Sequence, residues 1–253
     1  MQELFNLEGR VAVVTGASRG LGRAMAIGLA GAGADIVAIA SARENVTQTV
    51  AEVEALGRQC KALGCRQDDR DEVFRAVEES IAAFGKVDIL VNNAGTIRRA
   101  PAEDFTDEDW AAVMDTNLNG VFQFCRGIGR HMLERKQGKI INIASLLSFS
   151  GGITVPAYAA SKGGVMQLTK ALANEWANRG IQVNAIAPGY FATDNTEALR
   201  ADAERNDSIL ARIPTGRWGE AEDLQGAVVF LASDASNYVN GHILTVDGGW
   251  MAR

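Results

Sequence analysis

Residues 11–22 read VAVVTGASRGLG, and this stretch decides the fold. The apolar run at 11–14 has the character of a buried strand. Glycines follow at positions 16, 20 and 22, and a helical pattern runs from there to residue 32. A strand that passes through a glycine-rich turn into a helix is the opening unit of an α/β protein.

Short apolar runs alternate with longer helical patterns along the rest of the chain. Continuous apolar strands separated by helices are typical of a parallel sheet that helices cover on both faces. The sequence therefore predicts an α/β fold, a Rossmann-type doubly wound parallel sheet of about seven strands flanked by helices. The predicted strands span 11–14, 35–39, 61–65, 87–91, 139–143, 181–186 and 243–246, and the helices predicted between the first four span 21–32, 44–56 and 71–84.

Composition narrows the classes of function. The chain has 253 residues, 47% of them apolar, and a net charge of −6 without a basic block, which disfavours nucleic acid as a partner. The three cysteines form no CxxC pair, and His131 and His242 stand in no metal-ligand pattern, so we expect a reducing compartment and no metal. No apolar run is long enough to span a membrane and no signal peptide is recognisable, so we expect a cytoplasmic protein.

The glycine turn is suited to binding a phosphate. Gly16, Gly20 and Gly22 let the backbone approach a pyrophosphate, and the helix that follows offers free N–H groups and partial positive charge. The spacing is GxxxGxG, and a tight turn without a ligand is the alternative interpretation. The second strand ends without a carboxylate for a ribose, whereas Arg19 and Arg43 could reach a 2′-phosphate or remain surface arginines. The sequence therefore predicts NAD(P)(H), with a slight preference for NADP.

A second set of residues suits acid–base chemistry. Tyr158 and Lys162 are four residues apart in a helical pattern and share one face, although an isolated pair of this kind is usually an exposed helix pair. A free tyrosine has a pKa of about 10, and a nearby ammonium is expected to lower it toward the range of a general acid–base catalyst. Ser145 ends the fifth strand, where doubly wound sheets bind ligands, and its hydroxyl could hold a substrate oxygen. Asn117, polar within a helical stretch, is expected to support a relay from the lysine through water.

Taken together, these motifs resemble the short-chain dehydrogenase/reductases over nearly the full length of the chain. The matching segments are TGASRGLG (15–22), NNAG (92–95), Asn117, Ser145, YAASK (158–162) and APGY (187–190). The resemblance implies a tetramer in which Ser145, Tyr158, Lys162 and Asn117 are catalytic. The predicted cofactor residues are Gly16, Ser18, Arg19, Gly20, Leu21, Gly22, Ser41, Arg43, Asn93, Ala94, Gly95, Tyr158, Lys162, Pro188, Gly189 and Thr193.

One position departs from the family pattern. The third strand of these proteins usually ends with an aspartate that holds the adenine amino group, and the spacing places Arg66 there. Asp68 or Asp69 could substitute if the loop shifts, and otherwise the adenine is held differently.

Longer segments at 92–105, 140–177, 187–202 and 213–224 resemble the sugar-acid dehydrogenases of this family. The resemblance implies a substrate of the 2-dehydro-3-deoxygluconate, 2-deoxygluconate or gluconate type. Its carboxylate needs a positive partner, which one of several arginines could provide unless they form surface or intersubunit ion pairs. These arginines are Arg98, Arg99, Arg200, Arg205, Arg212 and Arg217, and the predicted substrate-binding residues are Ser145, Tyr158, Arg98, Tyr190 and Arg200.

The chain shows no repeat or interdomain linker, so we expect one dinucleotide-binding catalytic domain over 1–253. Residues 190–222 lack a strand signal and are expected to form a helical lid over the site. The predicted reaction is the reversible oxidation of a secondary alcohol to a ketone. Two alternatives stay open: a carbonyl reductase or dehydrogenase for a neutral sugar or ketone, and a nucleotide-binding sensor without turnover.

Overall fold

The computed structural model describes residues 2–253, and its strands form one parallel sheet, as the sequence predicts. The strands are β1 (Val11–Thr15), β2 (Asp35–Ala40), β3 (Cys60–Gly64), β4 (Ile89–Asn92), β5 (Gly138–Ile143), β6 (Ile181–Pro188) and β7 (Ile243–Val246). Their order across the sheet is β3-β2-β1-β4-β5-β6-β7. All neighbouring pairs are parallel, so the predicted Rossmann-type sheet is confirmed.

Helices cover both faces of this sheet. They are α1 (Gly20–Gly31), α2 (Thr47–Ala55), α3 (Arg70–Phe84), α4 (Asp107–Met114), α5 (Gly120–Arg135), α6 (Pro156–Trp176), α7 (Glu197–Ala201), α8 (Ala203–Leu210) and α9 (Gln225–Ala232). None of the helices in residues 2–253 is long and apolar enough to cross a membrane.

Alternate residues of β1, β2, β4 and β5 enter two separate cores. In β1, Ala12 and Val14 pack with α1 and α9 on one face, while Val11 and Val13 pack with α3, α5 and α6 on the other. Side chains alternate across a strand, so a strand buried on both faces must be apolar throughout. This explains why the strands appear in the sequence as continuous apolar runs.

The predicted boundaries differ from the observed ones in a few places. The helix predicted at 44–56 begins at Thr47, after a 3₁₀ turn at Arg43–Val46. The Thr47 hydroxyl donates to the Glu44 carbonyl in this turn at 2.7 Å. The strand predicted from residue 87 begins at Ile89, and β6 extends two residues further than predicted, to Pro188. The glycines that follow helices at positions 33, 57, 85 and 180 all have positive φ.

The strand order creates a cleft at the carboxyl edge of the sheet. The chain builds β2 and β3 on one side of β1, then crosses to place β4 on the other side. The loops after β1 and β4 therefore lead away from each other, and such a switch point is where doubly wound sheets bind ligands. The glycine turn and the NNAG segment both lie at this point.

Candidate active site

Gly16 and Gly22 of the glycine turn are packed too closely for side chains. A methyl group on Gly22 would lie 2.1 Å from the Gly16 carbonyl oxygen, and one on Gly16 would lie 2.8 Å from the Ala94 Cα. Gly16 and Gly20 also have φ values of +64° and +51°, which favour glycine. α1 begins at Gly20 without a side-chain cap, so its first N–H groups remain available to an anion. The turn therefore fits the pyrophosphate site that the sequence predicts.

Side chains fix this turn against the NNAG segment. The Thr15 hydroxyl accepts hydrogen bonds from the backbone N–H groups of Asn93 at 3.1 Å and Ala94 at 3.0 Å. In return, the Asn93 amide donates to the carbonyl oxygens of Thr15 at 3.0 Å and Gly16 at 3.1 Å. Thr15 is a contributor that sequence reasoning missed, because its role depends on a strand far away in the chain.

Ser145, Tyr158 and Lys162 come together where β5 meets α6. Ser145 accepts a hydrogen bond from the Leu147 N–H at 3.2 Å and caps the short 3₁₀ turn at Leu146–Ser148. The Ser148 hydroxyl donates to the Lys162 carbonyl at 2.7 Å and accepts from the Ser145 N–H at 3.2 Å. Ser148 thus ties the serine to α6, a role that only the folded chain reveals.

Lys162 is directed at the end of β5. Its side chain is almost fully buried, and Nζ donates to the Ile143 carbonyl at 2.5 Å. Nζ lies 5.7 Å from the centre of the Tyr158 ring, so the predicted shared face is confirmed. Burial lowers the pKa of Lys162 to about 8, because an ammonium away from water is costly.

Burial is the largest influence on the pKa of Tyr158, and the expected effect of Lys162 stays a prediction. Burial raises the pKa of Tyr158 above its usual value, while hydrogen bonding with Ser145 and the positive charge of Arg99 act in the opposite direction. The Lys162 ammonium lies over the Tyr158 ring and donates to the Ile143 carbonyl.

Asn117 lies in a π-helical turn at Asp115–Asn119 rather than in a regular α-helix. Its Nδ2 donates to the Thr96 carbonyl at 2.9 Å and to the Ser161 hydroxyl at 3.2 Å, which uses both amide protons. Its Oδ1 accepts from the Thr96 N–H at 2.8 Å. The side chain thus connects the loop after β4 to the helix that carries Tyr158. Such π-turns occur often at functional sites.

The loop after β6 approaches the glycine turn from the other side of the cleft. Gly189 is held by a hydrogen bond from its N–H to the Val246 carbonyl at 2.9 Å, and a methyl group there would lie 2.6 Å from the Asp247 Cα. A methyl group on Gly20 would lie 3.6 Å from Thr193 Cγ2. Pro188, Gly189 and Thr193 are therefore brought to the same cleft as the turn, as predicted.

The two arginines predicted to reach a 2′-phosphate are both exposed. Arg19 Nε lies 3.2 Å from Asp194 Oδ2, and this ion pair joins the glycine turn to the segment after β6. Arg43 follows the carboxyl end of β2 beside Ser41, whose hydroxyl accepts from Asn45 Nδ2 at 3.3 Å. Ser18 and Leu21 lie within the turn and at the start of α1.

Arg66 stands where the family pattern has an aspartate. Arg66 is exposed, and its Nε lies 3.4 Å from Asp68 Oδ1. Asp69 caps α3, since one carboxylate oxygen accepts from the N–H groups of Asp71 and Glu72. Gln67, which sequence reasoning missed, is buried and donates to the Thr116 carbonyl at 2.8 Å and the Ala94 carbonyl at 3.4 Å. Gln67 therefore braces the NNAG segment.

The residues predicted to bind substrate are only partly brought together. Ser145 and Tyr158 share the site, whereas Arg98 is held elsewhere, with its Nε 3.3 Å from Asp109 Oδ1. Arg200 donates to the Thr193 carbonyl at 3.3 Å and so lies at the cleft. Tyr190 packs against Trp218 and Trp250, with ring centres 5.6 Å and 4.6 Å away.

The predicted lid is largely helical. Residues 190–222 contain α7 and α8, and Ile209, Ile213 and Trp218 form a small core of their own. Trp250 packs onto this cluster within its own chain.

The fold and this cleft define a dinucleotide-binding oxidoreductase site built on a parallel sheet. The family model for short chain dehydrogenases matches residues 10–204, and the chain belongs to that family. The resemblance found in the sequence is thereby confirmed.

Similar proteins span the whole chain. A 2-dehydro-3-deoxy-D-gluconate 5-dehydrogenase from Pseudoalteromonas atlantica is 58% identical, with 100% of each chain covered. A solved structure from Agrobacterium tumefaciens, described as a candidate 2-deoxy-D-gluconate 3-dehydrogenase with bound NADP, is 53% identical with a TM-score of 0.93, and 99% of each chain is covered. A gluconate 5-dehydrogenase from Burkholderia cenocepacia, solved with NADP and tartrate, is 44% identical with a TM-score of 0.96, covering 100% of this chain and 99% of that one.

Proposed function

We propose that this protein is an NADP-dependent dehydrogenase that interconverts a secondary alcohol and a ketone on a sugar acid. The observation that carries the proposal is the meeting of Ser145, Tyr158 and Lys162 beside a glycine turn in which Gly16 and Gly22 have no room for a side chain. The names of similar proteins support the substrate class, because these proteins are named for 2-dehydro-3-deoxygluconate, 2-deoxygluconate or gluconate.

The proposed catalytic roles follow from the geometry. Tyr158 takes the proton of the substrate hydroxyl in oxidation and returns it in reduction. Ser145 orients the substrate oxygen, and the buried Lys162 favours the tyrosinate and exchanges the proton with solvent. Asn117 positions the loop after β4 against α6, and supports the exchange through water. The nicotinamide, when bound, supplies or accepts the hydride.

We propose that the cofactor lies across the cleft between β1 and β4. The pyrophosphate contacts the turn formed by Gly16, Ser18, Gly20, Leu21 and Gly22. The adenosine half lies against Asn93, Ala94 and Gly95, with the 2′-phosphate near Arg19, Ser41 and Arg43. The nicotinamide half lies against Tyr158, Lys162, Pro188, Gly189 and Thr193. Two observations support this orientation: the bare turn at the start of α1, and the approach of Thr193 to Gly20.

The choice of NADP over NAD gives the first prediction. Replacing both Arg19 and Arg43 with alanine is expected to weaken NADP binding at least about tenfold, because charge-assisted hydrogen bonds to phosphate are lost. NAD binding stays unchanged, since NAD has no 2′-phosphate. Fluorescence titration with NADPH and NADH measures both, and Arg75→Ala, at an exposed position on α3, is the matched control. Equal weakening of both cofactors would contradict the assignment.

The reacting carbon is proposed to be C5. Proteins 58% and 44% identical to this chain are named 5-dehydrogenases for 2-dehydro-3-deoxygluconate and gluconate. A second candidate is C3 of 2-deoxygluconate, since a structure that is 53% identical is described as a 3-dehydrogenase.

Initial rates on a panel of sugar acids test the proposal. 2-Dehydro-3-deoxygluconate, 2-deoxygluconate and gluconate are each assayed by nicotinamide absorbance, beside matched neutral sugars. We expect turnover of at least one acid with NADP and little turnover of the neutral compounds. Turnover of neutral compounds alone would favour the carbonyl-reductase alternative, and cofactor binding without any turnover would favour the sensor.

Three further features remain part of the proposal. Residues 1–253 act as one catalytic domain, and residues 190–222 act as a lid, supported by the separate small core around Trp218.

The protein works as a homotetramer in the cytoplasm. The free thiols of Cys60, Cys65 and Cys125 support a reducing compartment, and gel filtration with light scattering tests the tetramer.

A further inference from the structure

A π-helical turn interrupts the helical stretch that leads into α5. The Gly120 N–H donates to the Asp115 carbonyl, five residues back, whereas an α-helix joins residues four apart. Thr116 and Asn117 lie inside this turn. Irregular helical turns have local causes, among them a side chain that enters the hydrogen-bond ladder. The side chain that enters here is Gln67, from the loop between β3 and α3, whose Nε2 donates to the Thr116 carbonyl at 2.8 Å.

Gln67 is packed closely against the turn, and only 7% of it is exposed. A methyl group on Gly120 would lie 2.4 Å from the Gln67 carbonyl oxygen and 2.5 Å from its Cγ, so glycine at position 120 leaves the space in which Gln67 fits. Nε2 of Gln67 also donates, over a longer distance of 3.4 Å, to the Ala94 carbonyl. Gln67 therefore joins the NNAG segment to the π-turn.

The Gln67 amide is costly to bury, because its oxygen has no partner. Within the part of the chain that the structure describes, Oε1 of Gln67 is buried without a hydrogen bond, and so is Oε1 of Gln123 on α5. An unpaired buried oxygen destabilises a fold, and an apolar side chain of similar size would not carry this cost. Natural proteins break such rules mainly at functional sites. The feature of Gln67 that offsets this cost is the pair of amide protons.

Asn117 depends on the orientation of the same turn. Its side chain makes three hydrogen bonds of 2.8 to 3.2 Å, two with the backbone of Thr96 after β4 and one with the Ser161 hydroxyl on α6. Hydrogen bonds weaken steeply when distance and angle change, so a small rotation of the turn would weaken them. Gln67 opposes that rotation, because it holds the carbonyl of Thr116, the residue next to Asn117.

We propose that Gln67 is a positioning residue for the proton exchange at the active site. It acts through the π-turn and Asn117, which supports the exchange of the proton between Lys162 and solvent. This inference rests on the proposed function and adds a residue to it. The contact with Ala94 connects the same side chain to the segment against which the adenosine half is proposed to lie.

Gln67→Met and Gln67→Leu test this role, because both fill similar space and lack the amide protons. We expect kcat on the sugar acid that the wild type oxidises best to fall about tenfold, the effect of a slightly displaced catalytic group, with little change in KM. The ratio of kcat in H₂O to kcat in D₂O is expected to rise, because proton exchange becomes the slower step. Gln123→Met is the matched control, since it removes an equally unpaired oxygen that does not contact Thr116, and wild-type values are expected.

A second readout does not require turnover. Amide hydrogen exchange of the cofactor-free protein, followed by mass spectrometry, reports how firmly residues 115–119 are held. We expect faster exchange in this segment for Gln67→Met than for the wild type, because Thr116 loses the side chain that holds its carbonyl. Gln123→Met is expected to leave exchange in this segment unchanged.

The outcomes separate this inference from the proposed function. Wild-type protein that turns over no sugar acid would overturn both. An active wild type with a Gln67→Met or Gln67→Leu variant of equal kcat would overturn the role of Gln67 alone. A lower kcat with an unchanged solvent isotope effect would also overturn it, since that result indicates general damage, and so would unchanged hydrogen exchange at residues 115–119.

Discussion

Replacing Tyr158 with phenylalanine is expected to lower kcat at least about a hundredfold, the usual scale for loss of a general acid–base group. The ring is half-buried and phenylalanine keeps its packing, so the variant should fold and bind the cofactor like the wild type. Steady-state kinetics measure kcat, and NADPH fluorescence titration measures cofactor binding. The loss should therefore appear in kcat with little change in cofactor affinity.

A matched control distinguishes this effect from general damage. Tyr238 is fully exposed, so Tyr238→Phe removes the same hydroxyl where no contact is lost. We expect that variant to keep wild-type kinetics. Turnover of Tyr158→Phe close to that of wild type would contradict the role assigned to the hydroxyl.

Replacing Asp88 with alanine is expected to lower the free energy of unfolding by about 2–3 kcal/mol, while activity per folded molecule is kept. Asp88 is buried at the end of the sheet opposite the site, where it accepts from the Val11 N–H at 2.9 Å and from Arg135 at 2.6 Å. Lys86 Nζ is 3.1 Å away. The loss is smaller than for a fully buried ion pair, because Arg135 and Lys86 can still reach water.

Urea unfolding at several pH values tests this prediction. Burial raises the pKa of Asp88, but hydrogen bonds from Arg135, Val11 and Lys86 outweigh burial and leave the pKa below its usual value. Its contribution is therefore present above the unfolded-state pKa of about 4 and is lost as the pH falls below it. The stability difference between wild type and Asp88→Ala should shrink in acid.

The control for this variant is Asp104→Ala, an exposed position where we expect a change within about 0.5 kcal/mol. An Asp88→Ala variant as stable as wild type at neutral pH would contradict the structural role of Asp88.

Much of the sheet could be predicted because its strands are buried on both faces. Strand β7 was predicted at its observed bounds, and the other strands differ only at their ends. Helix starts were less predictable where a 3₁₀ turn comes first, as at Arg43–Val46, because such a turn depends on local hydrogen bonds. The π-turn at Asp115–Asn119 gave no local signal, since Asn117 contacts Thr96 and Ser161 across the fold.

The candidate site likewise contains residues that the sequence located and side-chain contacts that it could not predict. Tyr158, Lys162 and the glycine turn have fixed spacings within single elements, so the sequence located them. The direction of an arginine side chain depends on partners in other elements, and this is why Arg98 was predicted to bind substrate although Asp109 holds it. The pKa of Tyr158 also depends on packing across the fold, because burial has the largest effect on it.

The most direct test of the account follows a hydride. 2-Dehydro-3-deoxygluconate carrying deuterium at C5 is incubated with the protein and NADP⁺, and the NADPH formed is analysed by mass spectrometry. We expect that one deuterium is transferred to the nicotinamide with each turnover, and that Tyr158→Phe slows this transfer. NADPH formed without deuterium would move the reaction to another carbon, and the absence of any NADPH would contradict the proposed function.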